Sequence, residues 1–287
     1  MLDRFLARIF LGKAQRRLFQ SGVPILVYHS IAKAPRGCRD PFLYLDPRAF
    51  DGQLAAMREA GFSSGGLSEI PTTPISSNVG KKVVVSFDDG CRNVLQNALP
   101  LLARHRFQAI QFIVAGLVGK RNEWDIKHGD APESLMDEQE IREWLAAGHT
   151  IGSHGLMHRN LTRLSPAEAH EDISASKKLL EDRFGIPIEH FCYPHGRHSS
   201  TLQELVRDAG YATACTTEFG VNDVSTARHA LRRVFPATAE NLLAKVQHRI
   251  ARKLRSLLGS GSEKSSLQAF QLVSAEKKPQ GKVAAQP

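Results

Sequence analysis

The stretch KKVVVSFDDG, residues 81–90, runs three β-branched residues into two adjacent carboxylates and a glycine. Val83, Val84 and Val85 are apolar on both faces of an extended chain, the pattern of a strand buried within a parallel sheet. Asp88 and Asp89 follow where that strand leaves the core. Neighbouring carboxylates repel and disturb each other's protonation. Some other group must compensate them, and its residues should lie near the ends of other strands.

Outward from this strand the chain alternates strand and helix signals. VPILVY (23–28), QAIQFIV (108–114), HTIGS (149–153), HFCYP (190–194) and YATACT (211–216) read as further strands. Between them lie helical patterns over 46–61, 93–105, 137–148, 165–185 and 199–210. Asp46 is an N-cap with Pro47 in the first turn, and Gly61 is the stop. Ser165, Pro166 and Glu168 form a capping box with proline at its first position. Pro100 predicts a kink or late start in the helix over 93–105. Repeated helix–glycine–strand units predict an α/β fold with parallel strands. An open doubly wound sheet and a (β/α) barrel both fit this periodicity.

The chain has 287 residues, 42% of them hydrophobic, enough for one large core. No apolar run approaches the ~20 residues that span a bilayer. Arg8 interrupts the apolar part of the N-terminus, which makes a poor signal peptide. Cys38, Cys91, Cys192 and Cys215 show no CxxC spacing and read as thiols in a reducing compartment. Of the net charge of +9, residues 1–22 carry +4 and 237–287 carry +6, leaving −1 for 23–236. A nucleic-acid enzyme would carry its positive charge on the folded domain, so nucleic acid is not expected as a partner. The expected organisation is a basic amphipathic segment at 1–22, a catalytic domain at 23–236, a basic amphipathic helix at 237–258 and a disordered tail at 259–287. GLSEIPTTPISSNVG (66–80) reads as a surface loop. The basic ends suit either packing on the domain or contact with an anionic membrane surface. The latter predicts a cytoplasmic protein, peripheral at the inner membrane.

The compensation for Asp88 and Asp89 is sought in GSHGLMH, residues 152–158. His154 and His158 are four apart and would face one way on a helical turn. Both motifs follow predicted strands, whose carboxyl ends gather at one face in parallel α/β folds. Two histidines and one carboxylate make a three-ligand set for a divalent ion with open positions. One aspartate would bind the ion, and the other would stand free as a general base.

SFDDG and SHGLMH resemble the first and second motifs of the polysaccharide deacetylases (the NodB-homology family, carbohydrate esterase family four). The resemblance covers roughly 23–236. It implies a distorted, incomplete (β/α) barrel and metal-dependent removal of acetyl groups from sugars. It makes Asp88 the base and Asp89, His154 and His158 the ligands of one divalent ion, usually Zn2+. The family's third motif, RxPY-like, corresponds to CYPHG (192–196), with Cys192 at the arginine position and His195 at the tyrosine position. Tyr193 and His195 are thereby expected at the substrate or oxyanion, the latter through its backbone N–H. The late LxxH motif is missing after residue 215 and appears instead as LVYH, Leu26 to His29. This resembles the circularly permuted poly-N-acetylglucosamine and exopolysaccharide deacetylase branch and makes His29 the general acid. RRVFP (232–236) resembles that branch's segment for the arginine that orients the base, with Arg233 the better match and Arg232 the second. Trp124, Asp125, Asn222 and Asp223 are candidate cleft-lining residues. The expected function is N-deacetylation of an amino sugar in a polysaccharide or a lipid-linked precursor. A deacylase or deformylase of another lipid-linked sugar amide, and a non-catalytic glycan-binding module, are the alternatives.

Overall fold

Strand β3 (Lys82–Phe87), the run that opened the sequence, is the central element of a parallel barrel. The computed structural model describes residues 11–36, 38–70, 81–126 and 131–236. The other strands are β1 (Ile25–Tyr28), β2 (Ser63–Ser64), β4 (Ala109–Ile113), β5 (Thr150–Ser153), β6 (His190–Cys192), β7 (Thr213–Phe219) and β8 (Leu231–Arg233). Their order is β1-β3-β4-β5-β6-β7-β8, with every ladder parallel, and β2 pairs beside the start of β3. Beyond β8, Val234 exchanges hydrogen bonds with Ile25 and Val27, so the last strand closes on the first. That closure decides for a barrel and against the open doubly wound sheet. The three-residue β8 was not expected as a strand. Its identity comes from pairing rather than from local pattern.

Seven α-helices are described: α1 (Lys13–Gln20), α2 (Pro47–Glu59), α3 (Leu99–His105), α4 (Glu123–Ile126), α5 (Glu138–Ala146), α6 (Pro166–Phe184) and α7 (Ser200–Asp208). Their caps follow the sequence. Asp46 accepts the Arg48 N–H at 2.8 Å, and Asp137–Glu140 and Ser165–Glu168 both form capping boxes. A π-helical turn over Val94–Ala98 precedes α3, and Pro100 falls in the first turn of α3, where its missing N–H needs no partner.

Alternation along the strands divides the core in two. Ile25, Val84, Ile110, Phe112, Cys192, Cys215 and Leu231 face one another inside the barrel. Val83, Val85, Phe87, Ile113 and Phe191 face outward to the helices. Gly152 of β5 is required by this packing, because a Cβ there would sit 2.7 Å from the Phe112 ring and from the His190 carbonyl oxygen. Leu11 ahead of α1 and Phe19 within it are buried, with the Phe19 ring edge-on to Phe62 at 5.9 Å. That part of the basic N-terminal segment therefore packs on the domain. Leu67 and Ile70 of the expected surface loop are buried as well. The expectations for residues 1–10, 71–80 and 237–287 lie outside the described residues.

Two core histidines predict the acid response of the fold. His149 accepts the Ala109 N–H at Nδ1 and stacks 4.3 Å from Trp144, and His190 meets Thr213 Oγ1 at 2.9 Å. Burial pushes both imidazoles down to about 4. In the unfolded chain they titrate near ~6.5, so on acidification the unfolded state takes up these protons first. Their contribution to stability should fall as pH drops from about 6.5 towards about 4. Urea unfolding at pH 7 and pH 5 should show the loss, and His190→Gln should reduce it. Equal slopes in the two proteins would refute the assignment.

Candidate active site at the strand ends

The turn after β3 separates the two aspartates. Asp89 and Gly90 both take left-handed backbone, with φ of 74° and 80°. Asp88 therefore continues the strand and points into the barrel mouth, while Asp89 turns aside toward β5. A non-glycine residue in this region costs of order 1–3 kcal/mol and persists where surroundings over-determine it.

Asp88 is buried and held by Arg233, whose Nη1 and Nη2 donate to Oδ1 and Oδ2, each at 2.7 Å. This is the bidentate fork geometry that makes arginine the strong partner of a carboxylate. Arg233 Nε donates to the Thr216 carbonyl at 2.7 Å, which fixes the plane of the fork. Burial pushes the Asp88 carboxyl up, and Arg233 more than reverses this, so it lies below its ordinary value. Arg233 is fully buried and does not line the cleft; it orients Asp88 and touches no substrate space, whereas Arg232 is exposed. Cys192 Sγ lies 3.7 Å from both Asp88 oxygens. A small thiol at this position of β6 leaves room for the arginine to arrive from β8.

Asp89 faces the histidine pair. Its Oδ1 lies 3.4 Å from His154 Nε2 and 3.3 Å from His158 Nε2. Ligands held ~2.0–2.2 Å from a tetrahedral zinc lie about 3.3–3.6 Å apart, so these separations are edges of such a polyhedron. Asp89 Oδ1 is buried and makes no hydrogen bond, leaving its lone pairs for a cation. His154 Nδ1 donates to the Cys192 carbonyl at 2.8 Å, which selects the tautomer with Nε2 free for coordination. Burial pushes the Asp89 carboxyl up, and the two imidazoles outweigh it and hold the carboxyl well below the usual range. Asp89, His154 and His158 thus fit one divalent ion, with three protein ligands and room for others.

The histidines do not stand on a helix. Residues 154–160 form a loop after β5, with Gly155 at φ 76° and His158 at φ 54°. The i, i+4 spacing brings them together through a tight irregular turn. The Trp124 ring lies 4.3 Å from that of His158, tilted by 30°, and His195 meets His158 edge-on at 4.5 Å.

His29 stands just past β1, with Nε2 3.8 Å from Asp88 Oδ2. The set opens into a cleft of about 640 Å³, lined by His29, Asp88, Asp89, His154, His158 and His195 among others. Burial and the neighbouring His158 and His154 push His195 down to about 4, so near neutral pH its imidazole is uncharged. Trp124 and Asp125 also line the cleft. Tyr193 does not. Its ring is buried in the core and its OH donates to the His229 carbonyl at 3.0 Å, because alternation along β6 points it away from Cys192. Asn222 and Asp223 are likewise structural: Asn222 bonds Val23 and Arg232, and Asp223 caps its own turn through Ser225. Met157 and Phe235, from within the GSHGLMH and RRVFP stretches, also line the cleft, as do Arg39, Asp40, Arg163 and Thr217, which lie in no motif. A larger groove of about 960 Å³ lies over α3 and α5, away from the three-ligand set.

Residues 76–214 match the family model for polysaccharide deacetylases. Over that stretch the chain is similar to the polysaccharide deacetylases. Its relatives agree with the fold. YxkH of Bacillus subtilis is 25% identical over 74% of this chain and 70% of its own length. The poly-beta-1,6-N-acetyl-D-glucosamine N-deacetylase of Staphylococcus aureus is 26% identical over 45% of this chain and 46% of its own. The chain therefore spans about half the length of that relative. Among solved structures, IcaB from Ammonifex degensii matches with a TM-score of 0.65 at 25% identity, over 79% of this chain and 97% of that one. The Streptococcus pyogenes deacetylase PplD matches in fold with a TM-score of 0.63 at 24% identity, over 78% and 97%. The deacetylase match begins at residue 76 and leaves out β1 and β8, which bring His29 and Arg233 to the site.

Proposed function

We propose that the protein removes N-acetyl groups from an N-acetylated amino sugar of a polysaccharide or lipid-linked glycan, with Asp89, His154 and His158 holding one divalent ion, most naturally Zn2+. The observation that carries this reading is the pairing of that three-ligand set with a separate, arginine-held carboxylate in one cleft. A bound divalent ion supplies Lewis acidity, which polarises an acyl oxygen and acidifies water from a pKa of ~15.7 to about 7. Asp88, ionised and aimed by Arg233, accepts the proton of the attacking water. His29, 3.8 Å from Asp88 at the same mouth, delivers a proton to the departing amine. The backbone N–H of His195 serves the oxyanion, a role that needs no particular side chain. A glycan-binding module would need neither Asp88 nor His29, so the presence of both favours an enzyme over that alternative.

The test is acetate release across a panel of N-acetylated oligosaccharides, with chelator treatment and metal add-back. No release from any glycan, with metal restored, would sink the reading. His29→Ala should lower kcat by roughly 10²–10⁴ with fold and metal content unchanged; a fully active variant would remove His29 from the mechanism. We also propose a cytoplasmic protein in peripheral contact with an anionic inner membrane. The charge of the basic segments 1–22 and 237–258 supports this. Leu11 and Phe19 are buried and take no part. Flotation with anionic vesicles at low and high salt tests it, and absence of binding at low salt would reject it.

A further inference from the structure

Helix α6 meets the histidine-bearing loop through two buried polar side chains, Asp172 and Ser176, four apart on one helix face. Neither carried a motif signal. Ser176 Oγ lies 2.8 Å from Ser153 Oγ, and Ser153 Oγ accepts the Gly155 N–H at 3.2 Å. Asp172 Oδ1 accepts the Leu156 N–H at 2.8 Å, and its Oδ2 accepts Arg159 Nε at 3.1 Å. Asp172 is 0% exposed, whereas Arg159 is 44% exposed and lines the cleft.

These bonds bracket the two ligand histidines. Ser153 and Gly155 flank His154, and Leu156 and Arg159 enclose His158. The segment needs such support, because Gly155 and His158 both hold left-handed backbone and the strain at His158 must be offset by its surroundings. Backbone bonds from Ala115 to Gly155 and from Gly116 to Leu156 steady one side of the loop. On the other side, a buried carboxylate has no water to stabilise it and depends on its arginine and its N–H donor.

We propose that Asp172, with Arg159, is a positioning pair that sets the metal affinity of the site by fixing the spacing of His154 and His158. The pair acts through the loop and touches no metal. This rests on the reading of Asp89, His154 and His158 as the ligands. In metal sites, partners behind the ligands typically account for 10–100-fold in affinity. Asp172→Asn keeps an oxygen for the Leu156 N–H and places an amide against the guanidinium, breaking the ion pair alone. Arg159→Gln removes the same pair from its exposed side and serves if Asp172→Asn does not fold.

The experiment measures Zn2+ affinity of the full chain by chelator competition, and the visible spectrum of the Co2+ form, beside thermal melts without metal. Both variants should bind Zn2+ about 10–100-fold more weakly than wild type and show an altered Co2+ spectrum. The double variant should be no weaker than the worse single one, since the two residues act as a unit. Unchanged Zn2+ affinity and Co2+ spectrum alongside a lowered melting temperature would make the pair merely structural and overturn the proposal. A wild-type chain that takes up no divalent ion would overturn the metal reading and this inference with it, and so is told apart from a failure of the pair alone.

Discussion

Arg233→Leu should lose about 3–5 kcal/mol of folding stability, the cost of leaving one partner of a buried ion pair uncompensated. The pair is tight, two bonds at 2.7 Å between an enclosed arginine and a carboxylate only 2% exposed at the cleft floor, so water replaces the arginine poorly. The loss should depend on pH. Burial raises the Asp88 carboxyl, Arg233 outweighs it, and the folded value ends below the unfolded one of about 3.9. A depressed carboxyl contributes stability above the unfolded value, and that contribution disappears as pH falls through the folded value. The difference between wild type and Arg233→Leu should therefore be present above about pH 4 and shrink below it. Denaturant unfolding of both proteins from pH 7 to pH 2.5, without metal, measures it. A constant difference across that range would mean that Arg233 acts by packing alone.

Asp88→Asn should retain the divalent ion and lower kcat by roughly 10²–10⁴, because an amide cannot accept the proton. Asp89→Asn should instead lose the ion, since two histidines alone hold it poorly. The contrast follows from the left-handed turn that sends one carboxylate to the arginine and the other to the histidines. Elemental analysis beside acetate release separates the two effects. Equal metal loss in both variants would show that the division of labour is misassigned.

Much of this architecture was legible because it is written in local patterns. The strands of the barrel, their helices and the capping boxes follow from period, proline and glycine, and SFDDG with SHGLMH points to the two halves of the site. What stayed hidden depends on the closed fold. β8 has three residues, and only its pairing with β7 and the neighbouring bridge to β1 makes it a strand. Tyr193 was placed beside substrate by its motif, but strand alternation turns it into the core. The histidine loop was read as a helical turn because four-residue spacing is ambiguous without the φ of Gly155 and His158. Asp172 looks like an ordinary polar residue on an amphipathic helix; that it points inward against a loop depends on which face α6 buries.

The meeting of the last strand with the first governs when the site comes into being. His29 lies just past the first strand, Asp88 beyond β3, and the arginine that aims Asp88 is 145 positions further along the chain. Contacts so distant in sequence are slow to form, because the intervening chain must be ordered before they stabilise anything. During synthesis, a nascent chain that has not yet emerged past Val234 carries Asp89, His154 and His158, the ligands proposed above, but has Asp88 without Arg233. On the proposed function, the protein should therefore gain the capacity to bind a divalent ion before the capacity to act, with activity appearing only as the barrel seam zips shut.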